Sequence, residues 1–253
     1  MSKIFESPRS VNVSMAAAVL VVGVANILWA EQLTINRGFG WDGLWYSAWA
    51  RDFYHHVFVE RVPDYYVQRV LPSAFVHYGM RLLGAARTDA NIILAFHVYN
   101  LALLALSAYV WGLAADRLGV GTKGKWLGFV FLFFSYAILK NNFYHAVLTD
   151  TTAFALGVLM FYFFLRDSRA GLLFVLAAGG FVWPTTPHMA AILFAFPRPK
   201  ENEEARPATP ALFGVKLNHV VAALAAGGAL AMLLYLTLRG LEERMGYFGR
   251  ALR

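Results

Sequence analysis

Apolar runs close to twenty residues long alternate with polar segments along this chain, and that alternation leaves few folds open to it. The first run covers about residues 11–30. Some twenty apolar residues span the roughly 30 Å hydrocarbon core of a bilayer. In that medium every backbone N–H and C=O must be satisfied internally, so such runs read as helices. Of the 253 residues, 59% are hydrophobic and 15% charged, whereas a soluble domain carries about 25% charged residues. One large soluble domain is therefore excluded. The expected fold is all-α: a polytopic membrane bundle forming a single transmembrane domain over residues 1–253.

About seven hydrophobic segments are expected, at residues 11–30, 90–114, 126–139, 146–165, 170–183, 188–196 and 217–238. The fifth and sixth are too short to span alone. They flank WPTTP, where Pro184 and Pro187 must interrupt a helix, because proline removes a backbone donor and clashes with the preceding turn. They read as a helical hairpin with its tip inside protein or at an interface. The first run has no small-residue cleavage site after it, so it is read as a retained helix and not a removed signal.

Basic residues orient the bundle. With the N-terminus inside, the inside segments hold eleven Lys and Arg, including Lys3, Arg9, Arg117, Lys123 and Lys125, against one in the short outside loop KNNFYH. The positive-inside bias then places the N-terminus in the cytoplasm, residues 31–89 outside and the polar loop 197–216 inside. The tail after residue 238 falls outside with nothing to pack on, the pattern of the front portion of a longer architecture. The net charge of +7 is scattered over loops. It suits anionic membrane lipids and does not suit nucleic acid. The chain has no cysteine, which excludes disulfides and thiolate metal sites.

Most of the chemistry sits in the excursion 31–89. Read as a helix, WDGLWYSAWARDFYHH places Asp42, Tyr46 and Trp49 near one face and repeats Trp41, Trp45 and Trp49 every four residues. This is the pattern of an amphipathic interfacial helix. A second amphipathic helix follows in DYYVQRVLPSAFVHYGMRLLG, with Pro72 opening its main part and Val76, Met80 and Leu83 on its apolar side. Gln68 and Arg69 stand at its mouth.

WDGLWY followed by QRVLP resembles the first non-cytoplasmic loop of GT-C fold glycosyltransferases. The likeness is greatest to the GPI-mannosyltransferase type and to bacterial proteins that use polyprenyl-phosphate sugars. A second likeness runs through Asp150, RDSR, AGLLFVLAAGG and WPTTP, whose order matches that family over about residues 11–238. The family's break carries Arg before Pro-Thr, where this chain has Trp183. The resemblance implies a bacterial inner-membrane enzyme that moves a sugar from a polyprenyl-phosphate donor to an acceptor hydroxyl. Asp42 would be the catalytic base, taking the acceptor's proton as the new bond forms. A bare N-terminal carboxylate that only caps the helix is the alternative.

Tyr46, Arg51, Gln68, Arg69, His145 and Asp150 are the candidate substrate-binding residues. Arg69, or else Arg51, suits the donor phosphate, because guanidinium matches phosphate oxygens in a bidentate way. Asp150 beside Asp42 leaves a divalent cation as an open option; no other cofactor is implied. The rival function is a non-catalytic module of the same architecture that serves as a subunit beside a partner membrane chain. A haem bundle ranks lower, since no two histidines share one span at helical spacing. A transporter lacks the inverted repeat it would need.

Overall fold

The computed structural model describes residues 8–60, 62–195, 211–212 and 215–216. Apart from a short antiparallel hairpin, β1 (Ala211–Leu212) and β2 (Val215–Lys216), its regular structure is helical. The all-α expectation therefore holds. Two helices are long and apolar enough to cross a membrane, α1 (Pro8–Trp29) and α5 (Asp89–Arg117). They pack against each other and form the frame of the molecule. The ends of α5 follow from its sequence. The Thr88 side chain accepts the Asn91 N–H at 3.3 Å, Asp89 occupies the first turn, and Arg117 lies in the last. Acid first and base last complement the helix dipole.

Among the described residues the expected spans reduce to two, or to three if one bent pair counts as a single crossing, and not seven. In that pair α6 (Thr122–Phe133) stops at Ser135, whose side chain accepts the Ile138 N–H. The chain resumes as a wide π-type turn running into α7 (Asn142–Tyr144), bent by 56° from α6. Helix α8 (Asp150–Leu165) has 16 residues, about 24 Å at 1.5 Å per residue, which falls short of the hydrocarbon core. Helices α9 (Arg169–Gly179) and α10 (Thr186–Ala195) are shorter still and form the expected hairpin about the proline break. Apolar composition joins residues 126–139 across the break at Ser135, whereas the prolines divide the hairpin as expected. The seventh segment, 217–238, lies outside the described residues.

The excursion folds as α2 (Gly43–Arg51), a π-type turn at His55–Val59, α3 (Asp64–Val67) and α4 (Leu71–Leu82). Both expected amphipathic helices are present, and Pro72 sits in the first turn of α4. Two details of their faces differ from expectation. Trp41 and Trp45 are exposed, but Trp49 is 1% exposed and packs with Tyr46, Phe53, Val76, Met80 and Phe96. Leu83 stands in solvent at the end of α4. The tryptophan stripe is thus split, because at four-residue spacing the side chains drift around a 3.6-residue helix. This core fastens the excursion onto the start of α5. A second core, built on Val11, Met15, Leu104, Ala108, Phe129 and Phe133, joins α1, α5 and α6.

Candidate functional site at the excursion end of the bundle

Asp42 is held where the chain enters α2, after an unusual stretch of backbone. Asn36 and Arg37 have φ of 52° and 60°, and Gly38 and Gly40 follow at 94° and 67°. Only glycine occupies this region without cost. At Gly40 there is a second reason for it, since a Cβ there would lie 2.5 Å from His145 Nε2. That nitrogen bonds the Phe39 carbonyl oxygen at 2.8 Å, and the Asn36 amide donates to the Gly40 carbonyl at 2.6 Å. The entry to α2 is therefore clamped from both sides.

Although Asp42 occupies the N-cap position, its carboxylate makes no capping hydrogen bond. It reaches sideways instead. Tyr66 donates its hydroxyl to Oδ1 at 3.2 Å, and Arg69 Nη1 lies 3.7 Å from Oδ2. The Asp42 side chain stays 41% exposed while that of Arg69 is 10% exposed. An open carboxylate is thus backed by a buried cation.

Arg69 is enclosed by aromatic groups. It donates to the Tyr46 hydroxyl at 3.3 Å and to the Tyr65 hydroxyl at 2.9 Å. Its guanidinium carbon lies 4.7 Å from the Tyr65 ring centre and 4.4 Å from that of Trp183. Such cation–π contacts contribute about 1–2 kcal/mol when partly desolvated. Trp183 arrives from the tip of the α9–α10 hairpin, which is anchored by the Leu71 N–H donating to the Phe181 carbonyl at 3.0 Å. Three distant stretches, 42–46, 65–69 and 181–183, therefore meet at one arginine. Its Nε is buried without a partner.

The protonation states follow from this arrangement. Burial, reinforced by the Asp42 charge, pushes the Tyr66 phenol up to about 12. Burial also raises the Tyr46 phenol, against the pull of Arg69. For Arg69, burial acts downward, but the bond to Tyr46 and the neighbouring Tyr65 and Asp42 outweigh it, so the guanidinium is a firmer cation than usual. The tyrosines are donors and the arginine is charged throughout the physiological range.

Of the residues expected to bind substrate, Tyr46 and Arg69 join Asp42. Arg51 lies at the far end of α2, bound to Asp89 and to the Arg87 carbonyl. His145 is buried and spends its Nε2 on the Phe39 backbone, so it shapes the entry to α2. Gln68 is half-buried at the end of α3, with no side-chain hydrogen bond among the described residues. Asp150 is exposed in the first turn of α8. Among the described residues no three His, Asp or Glu side chains converge as metal ligands. Three members of the site were not singled out beforehand: Tyr65, Tyr66 and Trp183. The tyrosines stood beside the QR pair, but nothing local signals that Trp183 stacks on Arg69.

On the adjoining face of α2 opens a cleft of about 380 Å³, lined by Leu44, Trp45, Trp49, His56, Glu60 and Val62. Glu60 bonds His56 Nδ1 at 2.5 Å and His55 Nε2 at 3.1 Å, and the His56 bond is the main cause of its lowered pKa. Trp45 links cleft and site, its ring centre 5.6 Å from that of Tyr66. No family model matches the chain, and neither a curated protein nor a solved structure matches it. The site is read from its own chemistry.

Proposed function

We propose that the chain is a membrane glycosyltransferase that moves a sugar from a polyprenyl-phosphate donor to an acceptor hydroxyl at the non-cytoplasmic face, with Asp42 as general base. The observation that carries this reading is the Asp42 carboxylate. It declines the cap it is placed to make, stays open on one side and is held on the other by Arg69 and Tyr66. The order of WDGLWY, QRVLP and WPTTP along the chain supports the same reading.

In the reaction the acceptor oxygen attacks the anomeric carbon and its proton passes to Asp42. The bond from that carbon to the phosphate oxygen breaks, and its electron pair leaves with the polyprenyl phosphate. Arg69 is a positioning residue here, because its bonds to Tyr46 and Tyr65 and its contact with Asp42 already occupy both terminal nitrogens. It keeps Asp42 aimed. The sugar or acceptor ring fits the apolar side of the adjoining cleft, where the exposed Trp45 offers a ring face.

The deciding experiment is Asp42→Asn in a transfer assay with a polyprenyl-phosphate sugar. Loss of a general base lowers turnover by about 10²–10⁴-fold. The enclosure of Arg69 favours the second reading, a non-catalytic module beside a partner membrane subunit. Unchanged transfer in Asp42→Asn removes Asp42 from the mechanism, whereas no transfer by the wild type until a partner chain is added selects the second reading.

A further inference from the structure

A second charged cleft lies at the opposite end of α2 from Asp42. It measures about 290 Å³ and is lined by Asn36, Arg37, Ser47, Arg51 and Asp89 among others. Arg37 Nη1 lies 3.3 Å from Asp89 Oδ2, and Arg51 Nη2 bonds the other carboxylate oxygen. Arg87 donates to the Arg51 carbonyl at 2.8 Å, so a third guanidinium flanks the cleft. Asp89 is the one acidic residue in its lining. Two cations in the lining share one carboxylate, and the side chains of Arg37 and Arg51 remain 84% and 43% exposed. Asp52, next to Arg51, turns its carboxylate toward the His55 N–H.

The height of the cleft is set by the two long helices. Asp89 is the first residue of α5, and the chain leaves α1 at Trp29 only a few residues before Asn36. Where a spanning helix begins, the hydrocarbon gives way to headgroups. Exposed apolar side chains border the cleft: Leu44, in its lining, is 46% exposed, and Ile35, next to Asn36, is 43% exposed. The backbone supports a built site too. Arg37 is a non-glycine residue at φ 60°, next to Asn36 at 52°, and such strained conformations persist where surrounding contacts enforce them.

We infer that this cleft binds the phosphodiester headgroup of an anionic phospholipid, with Arg37 and Arg51 as its ligands. Guanidinium groups pair with phosphate oxygens through parallel N–H bonds. The excess of cations over Asp89 selects an anionic headgroup over a zwitterionic one, whose choline would add a further positive charge. The exposed Leu44 and Ile35 favour a lipid over a free phosphate. The lipid anchors the excursion at the membrane surface, and the inference does not rest on the glycosyltransferase reading.

The test uses the purified full chain in detergent micelles doped with phosphatidylglycerol or phosphatidylcholine, read by native mass spectrometry. Wild type is expected to retain one phosphatidylglycerol and to discriminate against phosphatidylcholine. Each arginine near a charged surface contributes about fivefold, so Arg37→Ala/Arg51→Ala lowers the preference about thirtyfold. Arg37→Ala alone leaves the Arg51–Asp89 bond in place and is expected to lower it about fivefold. Arg81→Ala, elsewhere on the excursion, leaves it unchanged. Equal retention of the two lipids by wild type, or a full preference in either arginine variant, overturns the inference. Displacement of the lipid by millimolar inorganic phosphate also overturns it, since the site would then serve a free anion.

Discussion

Two ion pairs at opposite ends of the helical frame, Lys125–Asp116 and Arg69–Asp42, are built differently. At the end where the chain starts, Lys125 is 4% exposed and bonds Asp116. Asn12 Nδ2 completes the group by donating to the other Asp116 oxygen at 3.0 Å, and its Oδ1 lies 3.4 Å from Lys125 Nζ. The start of α1, the end of α5 and the start of α6 are stapled together, with every polar atom of the three answered. At the other end, Asp42 stays half-open and Arg69 keeps a buried Nε without a partner. Buried polar groups are nearly always satisfied, and exceptions cluster where function needs them. The satisfied cluster holds helices together. The unsatisfied one leaves a carboxylate open to its surroundings.

The largest test of this contrast is the asymmetry between activity and stability. Asp42→Asn should lower sugar transfer by about 10²–10⁴-fold while leaving the midpoint of thermal unfolding nearly unchanged, since its carboxylate is exposed and uncapping. Equal losses of both would make the two pairs alike. Lys125→Met should do the reverse. It leaves Asp116 without its cation, and breaking such a pair costs about 3 kcal/mol, read as a lower unfolding midpoint in detergent with turnover per folded molecule retained.

Trp183→Ala comes next. It removes one face of the arginine enclosure and costs about 1–2 kcal/mol; Arg69 becomes more exposed, and transfer falls because Asp42 is less firmly aimed. Trp183→Phe, which keeps a ring over the cation, should recover most of the transfer.

The smallest effect is a titration. The Tyr66 phenol is raised from 10 to about 12. Its contribution to stability is therefore complete below pH 10 and is lost as pH rises through 12. Absorbance titration should show one phenol fewer ionising near pH 12 in Tyr66→Phe. In Asp42→Asn the same phenol should ionise at lower pH, because a neighbouring negative charge has gone. An unshifted curve in Asp42→Asn would detach Tyr66 from the carboxylate.

What was legible beforehand divides along physical lines. Apolar runs marked α1 and α5 to within a few residues, because hydrophobicity is a local quantity. The hairpin at WPTTP was equally plain, since proline acts on its own turn. The count of spans was not, because mean hydropathy cannot register that Ser135 takes an extended conformation or that α8 begins only at Asp150. Asp42, Tyr46 and Arg69 were marked by type and spacing, whereas Trp183 was noted only for the arginine it replaces.

The sequence alone determined that this chain is helical, that it carries the apolar length to cross a membrane, and that its titratable groups gather in one polar excursion. Tertiary structure decided which of those groups work together. Whether Asp42 caps α2 or turns to Arg69, and whether Arg51 serves that site or Asp89, depends on contacts between residues far apart in the chain. Such contacts leave no periodicity to read. They exist only once the 65–69 segment and the tip at Trp183 have been folded over the start of α2.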